Sequence, residues 1–209
     1  MYGGALGSAS TSREGAVINE TSSTIKSFLD SWYQTNFSGK DLENLIVDNL
    51  FCNDRQLSSE VGGTPTGPGY GRLDRYTTYA EYHRLYSYKN PTLKCGLKND
   101  RFTKSDIKIG NGALTYSVGL LTADEASMVG LLLSTNNNSN YLFLESPFWL
   151  LTPFYMNDYN EINAFAVHLT GYFTYVATNN IYGVRPVISI RGDITVTGDG
   201  SNANPFKLL

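Results

Sequence analysis

The sequence predicts an α+β fold: two helices packed on twisted antiparallel sheets, with long irregular loops between them. Three observations carry this. Apolar residues recur at helical spacing behind hydroxyl caps in two separate segments. Alternating or wholly apolar runs bounded by turn residues fill much of the C-terminal half. The stretch VGGTPTGPGYGR at 61–72 is turn and loop chemistry and interrupts the regular pattern.

The elements follow in order. Residues 1–20 are rich in Gly, Ala, Ser and Thr and read as an N-terminal strand or linker, leaving 21–209 as a single domain. Thr21, Ser22 and Ser23 offer a hydroxyl cap, and Ile25, Phe28, Leu29, Trp32 and Tyr33 form one apolar helical face that ends at Gly39. A second short helix is expected from Asp41 to Asp48, with Leu42, Leu45 and Ile46 inward. The segment YTTYAEYHRLYSY at 76–88 suits a helix face, a strand or an aromatic loop. Its tyrosines and the interleaved Arg72, Arg75 and Arg84 read as a brace over the core. Leu114 to Leu121 is expected to be a buried strand. Thr122 and Glu125 make a capping box that opens a helix running through Leu132. Phe148–Leu151 and Val184–Ile190 read as buried strands, with a hairpin from Asn163 to Ala177 turning at Gly171. On that hairpin Phe165, Val167 and Leu169 share one parity, and His168 and Thr170 take the other. The chain closes in two short strands around a Gly-rich turn.

Composition narrows the function. Net charge is −3 and no basic run exists, which argues against a nucleic-acid partner. Apolar runs fall far short of the ~18 residues that span a bilayer, so no membrane insertion is expected. The opening MYGGALGSAS does not read as a secretory signal, so the chain is either cytoplasmic or a mature piece. The chain is 13% aromatic, with 15 Tyr and 10 Phe. Between Phe154 and Asn180 the sequence is dense in Tyr, Asn, Thr and Phe and poor in charge, the chemistry of binding surfaces. It holds one histidine, His168, and no cysteine, short of the grouped nucleophile, base and acid that catalysis usually needs, so no catalytic residue is assigned.

Cys52 and Cys95 flank the core-poor middle. A disulfide between them is expected, with two independent buried thiols as the alternative. Asn53-Asp54-Arg55 is repeated as Asn99-Asp100-Arg101, just after each cysteine. These read as two structured turns with local ion pairs. Their oxygens also suit a structural calcium ion, the one cofactor the sequence leaves room for. Arg185, inside an apolar strand, is expected to be buried against Asp124, Glu125 or a cluster of backbone carbonyls.

Several motifs, in order, resemble an uncharacterised bacterial domain family found in secreted and pilin-like surface proteins. They are Asp30 to Tyr33, FCNDR at Phe51 to Arg55, LKC at Leu93 to Cys95, NDRFT at Asn99 to Thr103, the stretch from Gly110 to Glu125, and GVRPV at Gly183 to Val187. The resemblance covers roughly residues 22–208, with WLLTP at Trp149 to Pro153 where the family often has WTMSP. The tryptophan strand and GVRPV also resemble the formylglycine-generating-enzyme branch of the C-type-lectin fold. That resemblance implies a C-type-lectin-like fold and an extracellular or cell-surface location. Diversity-generating retroelements use this fold for their variable proteins, and the residue types of 154–180 are those that adenine-directed mutation of AAY codons yields. The formylglycine-generating chemistry uses cysteine pairs near the chain end, and no cysteine follows Cys95. The calcium-dependent sugar motifs of true lectins are absent as well.

The resulting expectation is a non-enzymatic ligand-recognition module. Its site is Phe154, Tyr155, Asn157, Asp158, Tyr159, Asn160, His168, Tyr172, Tyr175, Asn179 and Asn180, clustered on one exposed face. Its partner would be a protein or glycan on another cell or phage surface. The alternative is a structural or adhesive pilus subunit without a selective ligand.

Overall fold

A four-stranded antiparallel sheet, covered on both faces, organises the chain. In the computed structural model the described residues are 22–58, 76–157, 162–201 and 203–208, with no side-chain description for 76–78, 156 and 157. The N-terminal segment 1–20 and the loop 61–72 therefore lie outside the described residues. Helix α1 (Thr24–Asn36) is followed by a 3-10 turn (Asp41–Leu45) and strand β1 (Phe51–Cys52). Strand β2 (Tyr76–Thr78) leads into a short helix α2 (Ala80–Tyr82) that continues as a π-helical turn (His83–Ser87). A 3-10 turn (Lys98–Asp100) precedes β3 (Arg101–Phe102), and α3 (Ala123–Met128) stands alone in the middle of the chain. The long strand β4 (Phe148–Asn157) pairs with β5 (Ile162–Val167), and β5 with β6 (Phe173–Ala177). Strands β7 (Val196–Thr197) and β8 (Lys207–Leu208) close the chain as an antiparallel pair. The main sheet runs β2-β4-β5-β6, and β1 pairs with β3 apart from it. The fold is mixed α+β.

Helices start where the sequence caps them. The Ser23 side chain accepts the Lys26 N–H at 3.1 Å. At α3 the Thr122 hydroxyl accepts the Glu125 N–H at 3.1 Å and the Glu125 carboxylate accepts the Thr122 N–H at 2.8 Å, a complete capping box. The buried Thr152 hydroxyl accepts the Ala123 N–H at 2.8 Å and ties α3 to β4. Helix α3 is shorter than expected, because Gly130 adopts φ +94° and the Leu131 N–H turns back to the Ala126 carbonyl. Two inward assignments are corrected: Phe28 and Leu42 are exposed, leaving Leu29 and Tyr33, with Lys26, as the buried residues of α1.

The sheet separates two cores. Leu150, Phe154, Phe165, Val167 and Phe173 pack with Ala126, Leu131 and Leu85 on one face. Trp149, Leu151 and Ala166 pack with Leu29, Tyr33, Phe51 and Val118 on the other. Burial on both sides explains why 148–151 reads as wholly apolar rather than alternating. The stretches 114–121 and 184–190, expected as strands, are irregular backbone joined by single bridges such as Gly119 to Val187 and Ile46 to Ile190. Both segments lie against the cores: Val118 and Leu120 are buried, and Val184, Val187 and Ile188 are partly buried. Their backbone bonds also serve the early part of β4. The Leu151 N–H donates to Leu121 and the Trp149 N–H to Gly183. Glycine is required at 119, where a Cβ would lie 2.3 Å from the Phe51 ring.

Loop 103–112 is anchored by one carboxylate. Asp48 accepts the N–H groups of Lys104 at 2.6 Å, Ser105 at 2.7 Å and Asp106 at 3.0 Å. Burial pushes its carboxyl up, and these hydrogen bonds outweigh that and hold it below the usual range. Cys52 and Cys95 form a disulfide with Cα atoms 5.8 Å apart, closing a separation of 43 residues. Among the described residues no helix is long and apolar enough to cross a membrane.

Candidate functional site

The segment expected to carry recognition divides into an interior and an edge. Phe154 is 1% exposed and Tyr155 8%, so both belong to the core and not to an open face. The register explains it. Pro153 pairs with Ala164 and Tyr155 with Asn163, so two residues of β4 span one step of β5. This bulge, at the one residue of the strand without an N–H, resets the alternation. Phe154 and Tyr155 then both enter the same core. The backbone of Asn157 pairs with Tyr76. Its side chain, with Asp158, Tyr159 and Asn160, lies outside the described residues.

The hairpin has the expected turn. Gly171 takes φ +78°, and a Cβ there would sit 2.4 Å from the Asn137 carbonyl oxygen. Beside it His168 stacks on Tyr172, with ring centres 4.6 Å apart, and Nδ1 of His168 lies 3.0 Å from the Thr170 hydroxyl. That hydroxyl donates to Asn136 at 3.0 Å, so the ring pair is braced against the 134–140 loop. Leu169, expected with Phe165 and Val167, is exposed, because β5 ends at Val167. Asn179 and Asn180 are exposed just beyond β6, and Asn180 donates to the Ala177 carbonyl at 2.9 Å.

Tyr175 on β6 is 45% exposed, and its ring stacks on Phe154 at 4.0 Å with an interplanar angle of 14°. Tyr82 also leans on Phe154, at 5.1 Å, and stacks on Tyr86 at 5.3 Å. Tyr86 is 53% exposed. Sequence reasoning took 76–88 as a brace and missed this pair. The four-residue spacing of Tyr82 and Tyr86 was the available signal, since that spacing puts two rings on one helical face.

Behind this edge lies a buried ionic cluster built from the two NDR turns. The Arg84 guanidinium donates from Nε and Nη2 to the two oxygens of Asp124, at 2.8 and 2.6 Å. Nη2 also donates to Asp54 at 2.9 Å. The Arg55 N–H donates to Asp100 at 2.6 Å, and the Asn53 N–H to the Asp100 carbonyl at 3.0 Å. The twin motifs thus bind each other across β1 and β3. Arg185 does not join them. It is half-buried, donates to the Leu142 carbonyl at 2.9 Å and lies 5.3 Å over the Phe148 ring, so of the two kinds of partner expected for it a backbone carbonyl is present and Asp124 and Glu125 are not.

Glu81 is fully enclosed in the same cluster, and both its carboxyl oxygens and one of Asp54 lack a donor. Burial, then the neighbouring Asp54 carboxylate, raises the Glu81 carboxyl well above the usual range. A proton held by Glu81 and donated to Asp54 satisfies the Asp54 oxygen and one of the two Glu81 oxygens. A carboxyl that keeps its proton longer when folded stabilises most below the ordinary carboxylate pKa and loses that contribution as pH rises through its folded value. Glu81→Gln, which cannot ionise, should therefore gain on the wild type as pH rises. Urea unfolding of both proteins across pH checks this, and a wild-type advantage that grows with pH would contradict it.

A cavity of about 350 Å³ opens between the disulfide and this cluster, lined in part by Cys52, Asp54, Lys94, Asp124, Glu125 and Thr152. Its carboxylates are engaged: Asp54 and Asp124 by Arg84, Glu125 by Thr122. Glu81 does not line the cavity. Among the described residues no group of three or more His, Cys, Asp or Glu side chains is placed to hold a metal ion. The exposed aromatic and amide side chains of this region include Tyr86, Tyr175, Asn179 and Asn180. Comparison with family models, with curated proteins and with solved structures found no match to this chain.

Proposed function

We propose that the chain is a ligand-recognition module of C-type-lectin-like fold that works outside the cell, without catalysis and without a cofactor. The observation that carries this is the exposed ring of Tyr175 seated on buried Phe154, with exposed Asn179 and Asn180 a few residues on. A rigid aromatic contact beside adaptable amides is the composition of a recognition surface. The sheet beneath is packed on both faces, so its edge is held in place before any ligand arrives. The disulfide fits an oxidising compartment. The residue types of 154–180 fit a variable protein diversified by a retroelement, and its partner is then a protein or glycan displayed on another cell or phage.

The test compares the wild type with a Tyr175→Ser, Asn179→Ala, Asn180→Ala variant in a screen against bacterial cells, phage and glycans. The wild type should bind a subset of targets and the variant should lose them. Binding to no target would favour the structural-subunit alternative. Equal binding by both proteins would move the surface elsewhere.

A further inference from the structure

Two parts of the chain distant in sequence build one aromatic platform. Tyr86 comes from the π-helical turn and Tyr175 from the edge strand β6. Tyr82 and Phe154 lie between them in an unbroken series of ring contacts at 5.3, 5.1 and 4.0 Å. The inner neighbours are covered, Phe154 almost completely, while Tyr86 and Tyr175 keep about half their surface in solvent. Each of these two rings therefore has one face against a protein ring and leaves the rest open. The Tyr82 hydroxyl is made less acidic first by burial and then by the nearby Tyr86 and Tyr175 hydroxyls, consistent with all three lying at one surface.

A second observation points to a ligand. Asn163 sits on β5 opposite Tyr155 and Ala177, on the parity of Phe165 and Val167, and so on the face that carries Phe154 and Tyr175. It is 5% exposed, and its amide nitrogen has no hydrogen-bond partner. A buried amide donor left unmade is costly, and among the described residues of the sheet it is the one buried side-chain polar group without a partner. Here it lies two residue pairs along the strand from Tyr175, which faces Phe165, and so on the same face of the sheet.

We propose that this platform binds the C–H face of a neutral pyranose ring, with Asn163 donating to a ring substituent. The assignment rests on the reading of this edge as a recognition surface, and it names the ligand. Aromatic faces offer a sugar the apolar contact that its C–H groups seek, and the tyrosine hydroxyls and the amide meet its hydroxyls. Tyr82, Tyr86, Phe154, Tyr155, Asn163 and Tyr175 carry no formal charge at neutral pH, so nothing in the set recognises a sialic acid, a sulfate or a phosphate. Two open ring faces also fall well below the ~800 Å² that each partner contributes to a stable protein interface.

The probe is an array of neutral oligosaccharides ending in glucose, galactose, mannose or N-acetylglucosamine, with sialylated and sulfated counterparts. The protein should bind neutral members, equally with and without a calcium chelator. Tyr86→Ser and Tyr175→Ser should each weaken binding at least about tenfold. Tyr175→Phe, which keeps the ring, should retain most of it and shows that the site tolerates the change. Asn163→Ala should weaken binding, and Tyr141→Ser, at an exposed ring outside the platform, should leave it unchanged. Binding confined to acidic glycans, or binding that survives both serine variants, would overturn the proposal. A protein target lost in Tyr175→Ser, with no glycan bound, would overturn the sugar assignment and keep the recognition surface. Binding to nothing would remove both.

Discussion

Replacing Arg84 with Met should cost about 3–5 kcal/mol of folding free energy, the largest effect expected of any single side chain here. One guanidinium serves Asp54 and Asp124 by hydrogen bonds, with a Glu81 oxygen 3.7 Å away. Burial works against its charge, but the Asp124 hydrogen bonds and the surrounding acidic side chains hold the proton above the ordinary arginine value. Removing it leaves two enclosed carboxylates with no cation, and their desolvation is then uncompensated. Lysine should rescue little, because a single ammonium cannot reproduce the fork that spans both oxygens of Asp124 and reaches Asp54. Adding Asp124→Asn to the Met variant should recover part of the loss, since one of the stranded charges is gone. Chemical denaturation of the four proteins measures this, and an Arg84→Met variant within about 1 kcal/mol of wild type would contradict it.

Removing the disulfide should cost nearly as much. Cys52→Ser with Cys95→Ser opens a closed loop of 43 residues, and the loss of chain restriction in the unfolded state is worth about 4 kcal/mol. The effect should be concentrated there because the bridge holds the two NDR turns in register, with Asn53 and Arg55 both bonded to Asp100. A reducing agent applied to the wild type should produce the same downward shift in unfolding midpoint and none in the double variant. A midpoint insensitive to reduction would contradict the role given to the bridge.

Local chemistry was legible in the sequence where a residue acts on its own backbone. Ser23, Thr122 with Glu125, and Gly171 each fix a boundary through a bond or a φ value that depends on nothing distant. The disulfide was legible for a similar reason, since two cysteines flank a stretch that cannot make its own core. What the sequence hid depends on register. The stretches 114–121 and 184–190 have strand composition, but their partners are single bridges, and no local signal distinguishes an apolar strand from apolar coil laid against a core. The bulge at Pro153 brings Phe154 and Tyr155 into the same core, and only the pairing with β5 reveals it. The platform was half visible. Tyr175 came from composition, whereas Tyr82 and Tyr86 join it only because β4 carries Phe154 between them.

The central claim is that recognition is carried by side chains at the edge of the sheet that the fold does not need. The most direct measurement takes binding and thermal unfolding on one preparation of the Tyr175→Ser, Asn179→Ala, Asn180→Ala variant. The account predicts lost binding with a midpoint lowered by less than about 5 °C, since one ring stack of about 1 kcal/mol is removed and both cores are intact. Full binding by the variant would contradict it, as would a loss of binding that comes only with unfolding.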